Sequence, residues 1–137
     1  YLTIITYKYG WLPSISESFY RLPVRLNWIF SVFLWTISIL MMFAGGTNLI
    51  FLAGFFIMFV VVFTYFNETR WQHYLSALLG IGFGMASLWL DFGQWELVLL
   101  FILIALFFIV TKLKNLYWWI EIAAFGVIIY GLMTNGQ

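Results

Sequence analysis

The sequence predicts an all-α, polytopic membrane helix bundle with five transmembrane helices. Three observations lead there. Of the 137 residues 65% are hydrophobic and only 8% are charged, against roughly a quarter charged in a water-soluble domain. The mean hydropathy is +1.04. The apolar residues fall in continuous runs of roughly 14 to 19 residues, long enough to be solvated by hydrocarbon and lacking the alternation of a transmembrane β-strand.

The chain opens with an N-terminal interfacial segment, residues 1–23. Residues 1–12 are aromatic and apolar, too short to span, and interrupted by Lys8. They read as a belt-level segment or as the end of a helix whose start precedes Tyr1. A first residue that is not Met leads us to expect further sequence ahead of it. Pro13 then disfavours helix in its predecessor, and Ser14 with Glu17 three residues later forms a capping-box pattern. A short surface helix is therefore expected over residues 14–21, ended by Pro23.

A single transmembrane helical domain follows, residues 24–133. Its spans are expected at 24–43, 48–66, 71–90, 94–111 and 116–133, with a polar tail at 134–137. At ~1.5 Å per residue each span covers roughly 25–30 Å, a hydrocarbon thickness. The turns are short enough that consecutive helices must run antiparallel. With five spans, Lys8, Arg21, Arg25, Arg70, Lys112 and Lys114, all six basic residues, share one side, while the other carries Asp91 and Glu96. The positive-inside rule makes the basic loops cytoplasmic and the C-terminus external, in the cell (inner) membrane.

The third span carries small residues at a spacing of four. Ser76, Gly80 and Gly84 form a helix-packing stripe, with Ser87 a turn further on. Such a stripe lets another backbone approach closely, either within the bundle or on a second copy. Tryptophans 28, 71, 89, 95, 118 and 119 lie near expected span ends, as interfacial anchors do. Trp35 lies deeper.

The polar residues that could carry chemistry are few. The hinge Asn67–His73 holds the one histidine, and Glu68, Arg70 and His73 stand there together. Glu121 lies six residues beyond Asn115, roughly 9 Å into the fifth span. A carboxyl at that depth needs pairing, protonation or a wet cavity. Glu121 with His73, or failing that with Arg70, is the expected polar or ion cluster, either structural or functional. With no cysteine and a single histidine, neither a disulfide nor a zinc site is expected, and no catalytic constellation, cofactor fingerprint or nucleic-acid patch stands out.

The segment Leu12-Pro13-Ser14-Ile15-Ser16-Glu17-Ser18-Phe19-Tyr20, followed by five apolar helices, resembles small uncharacterised multi-pass membrane proteins of bacteria and their phages. Its Pro-Ser-Ile-Ser element is distantly similar to the loop after the first helix of the damage-regulated autophagy modulator family. That resemblance implies six helices, the first preceding residue 12, and in some relatives a role in remodelling lipid anchors. It would place the loop outside, where the charges place it inside, and it carries over no catalytic residue.

These features together lead us to expect a non-enzymatic integral membrane protein. The expected role is an accessory or scaffolding subunit, whose partners are the lipid bilayer and other membrane subunits or a second copy. The competing expectations are a self-assembling pore or small transporter, and a lipid-modifying enzyme using His73 and Glu121.

Overall fold

The computed structural model describes residues 1–44, 46–65 and 70–134, with the side chains of Ala44, Tyr65 and Arg70 outside that description. Glu68 of the expected polar cluster lies outside the described residues, as does the Arg70 side chain. The described chain is all-helical. Its elements are α1 (Leu2–Tyr9), α2 (Glu17–Arg21), one 3-10 turn (Val24–Leu26), α3 (Asn27–Ala44), α4 (Asn48–Tyr65), α5 (Arg70–Leu90), α6 (Trp95–Val110) and α7 (Leu116–Thr134).

The five long helices start and stop within a few residues of the expected spans, because continuous apolar runs alternate with turns of Gly, Asn, Asp and Lys. Val24–Phe43, Trp71–Leu90 and Leu116–Thr134 are long and apolar enough to cross a membrane. Asn48–Thr64 and Trp95–Val110 are shorter apolar helices. Polar residues inside these helices bond to their own turn: Ser38 Oγ donates to the Leu34 carbonyl at 2.8 Å and Thr64 Oγ1 to the Val60 carbonyl at 2.6 Å. Such back-bonding removes the need for an outside partner. Gly10 ends α1 with φ +74° and Gly93 turns α5 into α6 with φ +65°, a region that side chains disfavour.

α4 packs along α3 on one flank and α5 on the other, and α7 closes the bundle against α5 and α6. Close approach is set by glycine. A Cβ on Gly54 of α4 would stand 2.5 Å from the Ser38 carbonyl oxygen and 2.6 Å from Met42 Cγ of α3. A Cβ on Gly80 would meet Ile57 Cδ1 of α4 at 2.5 Å, and one on Gly84 would meet Ile128 Cδ1 of α7 at 2.5 Å. Ser76, Gly80 and Gly84 are all buried. The α5 stripe is thus occupied by side chains of its own chain, which takes away the surface a self-association seam would need.

The N-terminal segment differs most from expectation. The surface helix expected over 14–21 is a buried turn at 14–16 followed by the five-residue α2. Leu12, Ile15, Ser18 and Phe19 are buried, and the three apolar ones pack in one core cluster with Phe30, Leu34, Ile57, Val60, Val61 and Trp118. Residues 11–19 therefore plug one end of the bundle rather than lie on it. The reason is the apolar triplet Leu12, Ile15 and Phe19, which finds a cup between α3, α4 and α7. Of the capping box only half forms: the Glu17 N–H donates to Ser14 Oγ at 3.3 Å, while the Glu17 carboxylate pairs with Arg21 at 3.5 Å. Trp118, expected as an interfacial anchor, is fully buried beneath this plug. Trp28, Trp71, Trp89 and Trp95 are exposed near helix ends, and Trp35 is also exposed.

Candidate functional site

The plugged end of the bundle gathers most of the buried polar bonds between elements, and they follow a register. Residues 118 and 121 stand about one turn apart on one face of α7, and Asn115 immediately precedes the helix. Along the strap of bends and turns ahead of α2, residues 11, 13 and 15 stand at intervals of two. The two series meet. Asn115 Nδ2 donates to the Trp11 carbonyl at 2.9 Å, the Trp118 backbone N–H to the Pro13 carbonyl at 3.0 Å, and the Ile15 backbone N–H to Glu121 Oε2 at 2.6 Å. Pro13 donates no N–H of its own and offers its carbonyl to α7. The Trp118 N–H is one of the donors that a helix leaves open in its first turn, and the strap satisfies it.

Glu121 is half-buried and borders a cavity with about 20 Å³ of space for water centres, lined also by Ile15, Ser16, Leu34, Ile57, Val60 and Phe125. That is room for about one water molecule. Apart from Ser16 the lining residues are apolar, and the Ile15 N–H is the group bonded to the carboxyl. A backbone donor aimed at a carboxyl in a shielded place replaces part of the hydration that burial removes.

His73 takes different partners. Its Nδ1 stands 3.1 Å from Thr64 Oγ1 and 3.2 Å from the Val60 carbonyl, so it ties the start of α5 to the end of α4. The Tyr20 hydroxyl donates to the Thr64 carbonyl at 3.1 Å and links α2 to the same place. The expected pairing of Glu121 with His73 is therefore corrected: each bonds to its own nearby groups. The cause is the strap, which occupies the Glu121 side of the bundle end and presents a backbone donor there. Among the described residues no group of three or more His, Cys, Asp or Glu side chains comes together to hold a metal ion.

The strap is tied on its outer side as well. The Tyr1 hydroxyl and Ser18 Oγ stand 2.7 Å apart, and Ser18 Oγ donates to the Ile15 carbonyl at 2.5 Å. Burial pushes the Tyr1 phenol above its ordinary value. The Asn27 amide, with its nitrogen turned toward the end of α2, donates to the carbonyls of Phe19, Leu22 and Pro23 at 3.1, 3.2 and 3.1 Å.

The opposite end holds a second, smaller polar group that the sequence did not single out. Thr47 Oγ1 stands 3.1 Å from Ser87 Oγ, which donates to Asp91 Oδ2 at 2.8 Å. Beside it Gln94 Nε2 donates to the Gly131 carbonyl and to Thr134 Oγ1, each at 3.2 Å. The absence of a side chain at Gly131 makes room for Gln94, since a Cβ there would fall 2.6 Å from Gln94 Oε1 and on top of Leu88. Polar residues at turn positions of neighbouring spans were the available signal.

Geometrically, both ends are fastening sites. Each joins a turn or strap to a helix through bonds that use backbone groups. Comparison with protein-family models, with curated proteins and with solved structures finds no match to this chain.

Proposed function

We propose that this chain is a non-enzymatic integral membrane protein, an accessory or scaffolding subunit of a membrane complex. It has five spans in the cell (inner) membrane, with its basic loops cytoplasmic and its C-terminus external. The observation that carries the reading is the contrast between surface and interior. Exposed large side chains along the helices are aliphatic or aromatic, among them Val32, Leu40, Phe51, Leu78, Leu103, Leu106, Phe107 and Ile129. The polar groups His73, Glu121 and Ser87 are turned inward and bonded. Water does not tolerate an apolar patch that runs around a whole bundle, whereas lipid solvates it and rewards inward polar bonding.

The accessory role is supported by what the inward groups do. Glu121 and His73 fasten separate pairs of elements, so neither is poised with the other over a shared opening. That weakens the lipid-modifying enzyme built on the two residues, and it weakens a pore that would need them along one path. α6 meanwhile leaves most of its apolar circumference uncovered, with Val98 its one buried residue. This is the face we assign to neighbouring subunits.

The test is site-specific photo-crosslinking in native membranes from Leu103 and Leu106 of α6. A protein adduct of discrete mass is the expected result. Adducts to lipid alone, from these and from outward positions on α3 and α5, would sink the subunit role while leaving the membrane placement standing.

A further inference from the structure

Three exposed lysines gather where the N-terminal segment meets the turn between α6 and α7. Contacts between those parts bring them together. Asn115 Nδ2 donates to the Trp11 carbonyl at 2.9 Å, and the Trp11 and Trp119 rings lie 4.6 Å apart between centroids. Trp119 in turn meets Phe108, near the end of α6, at 6.2 Å. Lys8 stands three residues ahead of Trp11, Lys114 is next to Asn115, and Lys112 follows Phe108 by about one turn. The row of rings is thus bordered by Lys8, Lys112 and Lys114, all exposed. Trp11, Ile109 and Val110 are exposed beside them, so cationic and apolar surface adjoin.

These charges are not neutralised within the chain. Among the described residues none of the three lysines forms an ion pair: Glu17 pairs with Arg21 at 3.5 Å, and Glu121 is bonded to the Ile15 N–H. Like charges held together without a counter-charge repel, and an anion relieves them. The backbone at Lys112 is an independent sign. The Lys112 N–H donates to the Ile109 carbonyl at 3.1 Å and the Leu113 N–H to the Phe108 carbonyl at 3.2 Å, the paired bonds of a Schellman cap. Lys112 fills the left-handed position of that cap, with φ +49°, where glycine fits without strain. A cation is favoured beside a helix C-terminus, yet Lys114 already supplies one two residues on. The strain is thus accepted for a second amine at this place. A ligand that uses both the amines and the apolar surface beside them has an anionic head and an apolar body.

We propose that Lys8, Lys112 and Lys114 bind the phosphate of an anionic phospholipid, whose apolar part lies against Trp11 and the end of α6. The proposal rests on the membrane placement above and is independent of the accessory role. The full chain, purified in mild detergent, is incubated with equal amounts of phosphatidylglycerol and phosphatidylcholine bearing identical acyl chains, then read by native mass spectrometry. Phosphatidylglycerol should be retained about tenfold or more over phosphatidylcholine, and inorganic phosphate at the same concentration should not displace it. Lys112→Gly should weaken phosphatidylglycerol retention about fivefold, the share of one lysine near a lipid surface, while raising the melting temperature by relieving the left-handed backbone. Lys8→Gln combined with Lys114→Gln should weaken retention further than Lys112→Gly. Arg25→Gln, which removes an exposed cation outside this cluster, should leave retention unchanged. Equal retention of the two lipids by the wild type, displacement by inorganic phosphate, or a loss in Arg25→Gln as large as in Lys112→Gly would overturn the proposal. So would a Lys112→Gly variant that keeps full retention, or one that loses retention and melting temperature together. Recovery of the chain in the aqueous fraction after cell lysis would instead contradict the membrane placement on which it rests.

Discussion

α5 and α6 are consecutive helices joined by residues 91–94, and both are dominated by apolar residues, yet they occupy opposite situations. α5 contains Ser76, Gly80, Gly82, Gly84 and Ser87 and sits at the centre, touching α4, α6 and α7. α6 is nearly pure Leu, Ile, Phe and Val and sits at the edge, with Val98 alone buried. In a water-soluble protein the more hydrophobic helix would be the one inside. Here the order is reversed, which supports the proposed membrane placement, since in hydrocarbon burial is decided by how closely backbones can approach. Small residues hold the centre, and large apolar ones face out.

The largest expected effect tests that contrast at its centre. Gly84→Leu and Gly80→Leu place a branched side chain where even a Cβ stands 2.5 Å from Ile128 or Ile57. We expect a loss of about 3 kcal/mol or more, seen as a large fall in melting temperature in detergent or as failure to accumulate. Wild-type stability in both would mean that α5 does not pack as described.

A smaller effect is expected at the strap. Glu121→Leu removes the acceptor of the Ile15 N–H and should destabilise by roughly 1–3 kcal/mol. Hydrogen exchange should accelerate at residues 11–16 first. Glu121→Gln keeps an acceptor oxygen and should lose less than half as much. If the two variants are equally stable, the bond from Ile15 contributes nothing to holding the strap.

The smallest effect belongs to α6. Leu103→Ala and Leu106→Ala should change stability of the isolated chain by about 0.5 kcal/mol or less, since both side chains are exposed. A cost matching that of the α5 glycines would erase the contrast between the two helices.

Much of the fold can be read from the chain because its two alphabets are kept apart: apolar runs fix where the five long helices lie, and short polar turns fix where they end. The four-residue spacing of Ser76, Gly80 and Gly84 is equally visible. The approach of α3 to α4 is not, since Gly54 is a single glycine in a bulky helix and leaves no pattern. The depth of Glu121 is legible from its distance along α7, but its partner is not. That partner is a backbone N–H from a residue 106 positions away, and backbone donors are written at every position alike. Trp118 misleads for the same reason, because a tryptophan near a helix end looks like an anchor until a strap folds over it.

The proposed membrane placement is what this reading of the contrasts rests on, and the chain's lack of cysteine allows it to be tested directly. Lys114 and Glu96 are both exposed, at opposite ends of α6. Single cysteines at each, Lys114→Cys and Glu96→Cys, are treated in intact cells with a membrane-impermeant thiol reagent. Labelling at position 96 but at 114 only after permeabilisation is the predicted result. Labelling at 114 but not at 96 would invert the orientation, and equal labelling at both in intact cells would contradict a span between them.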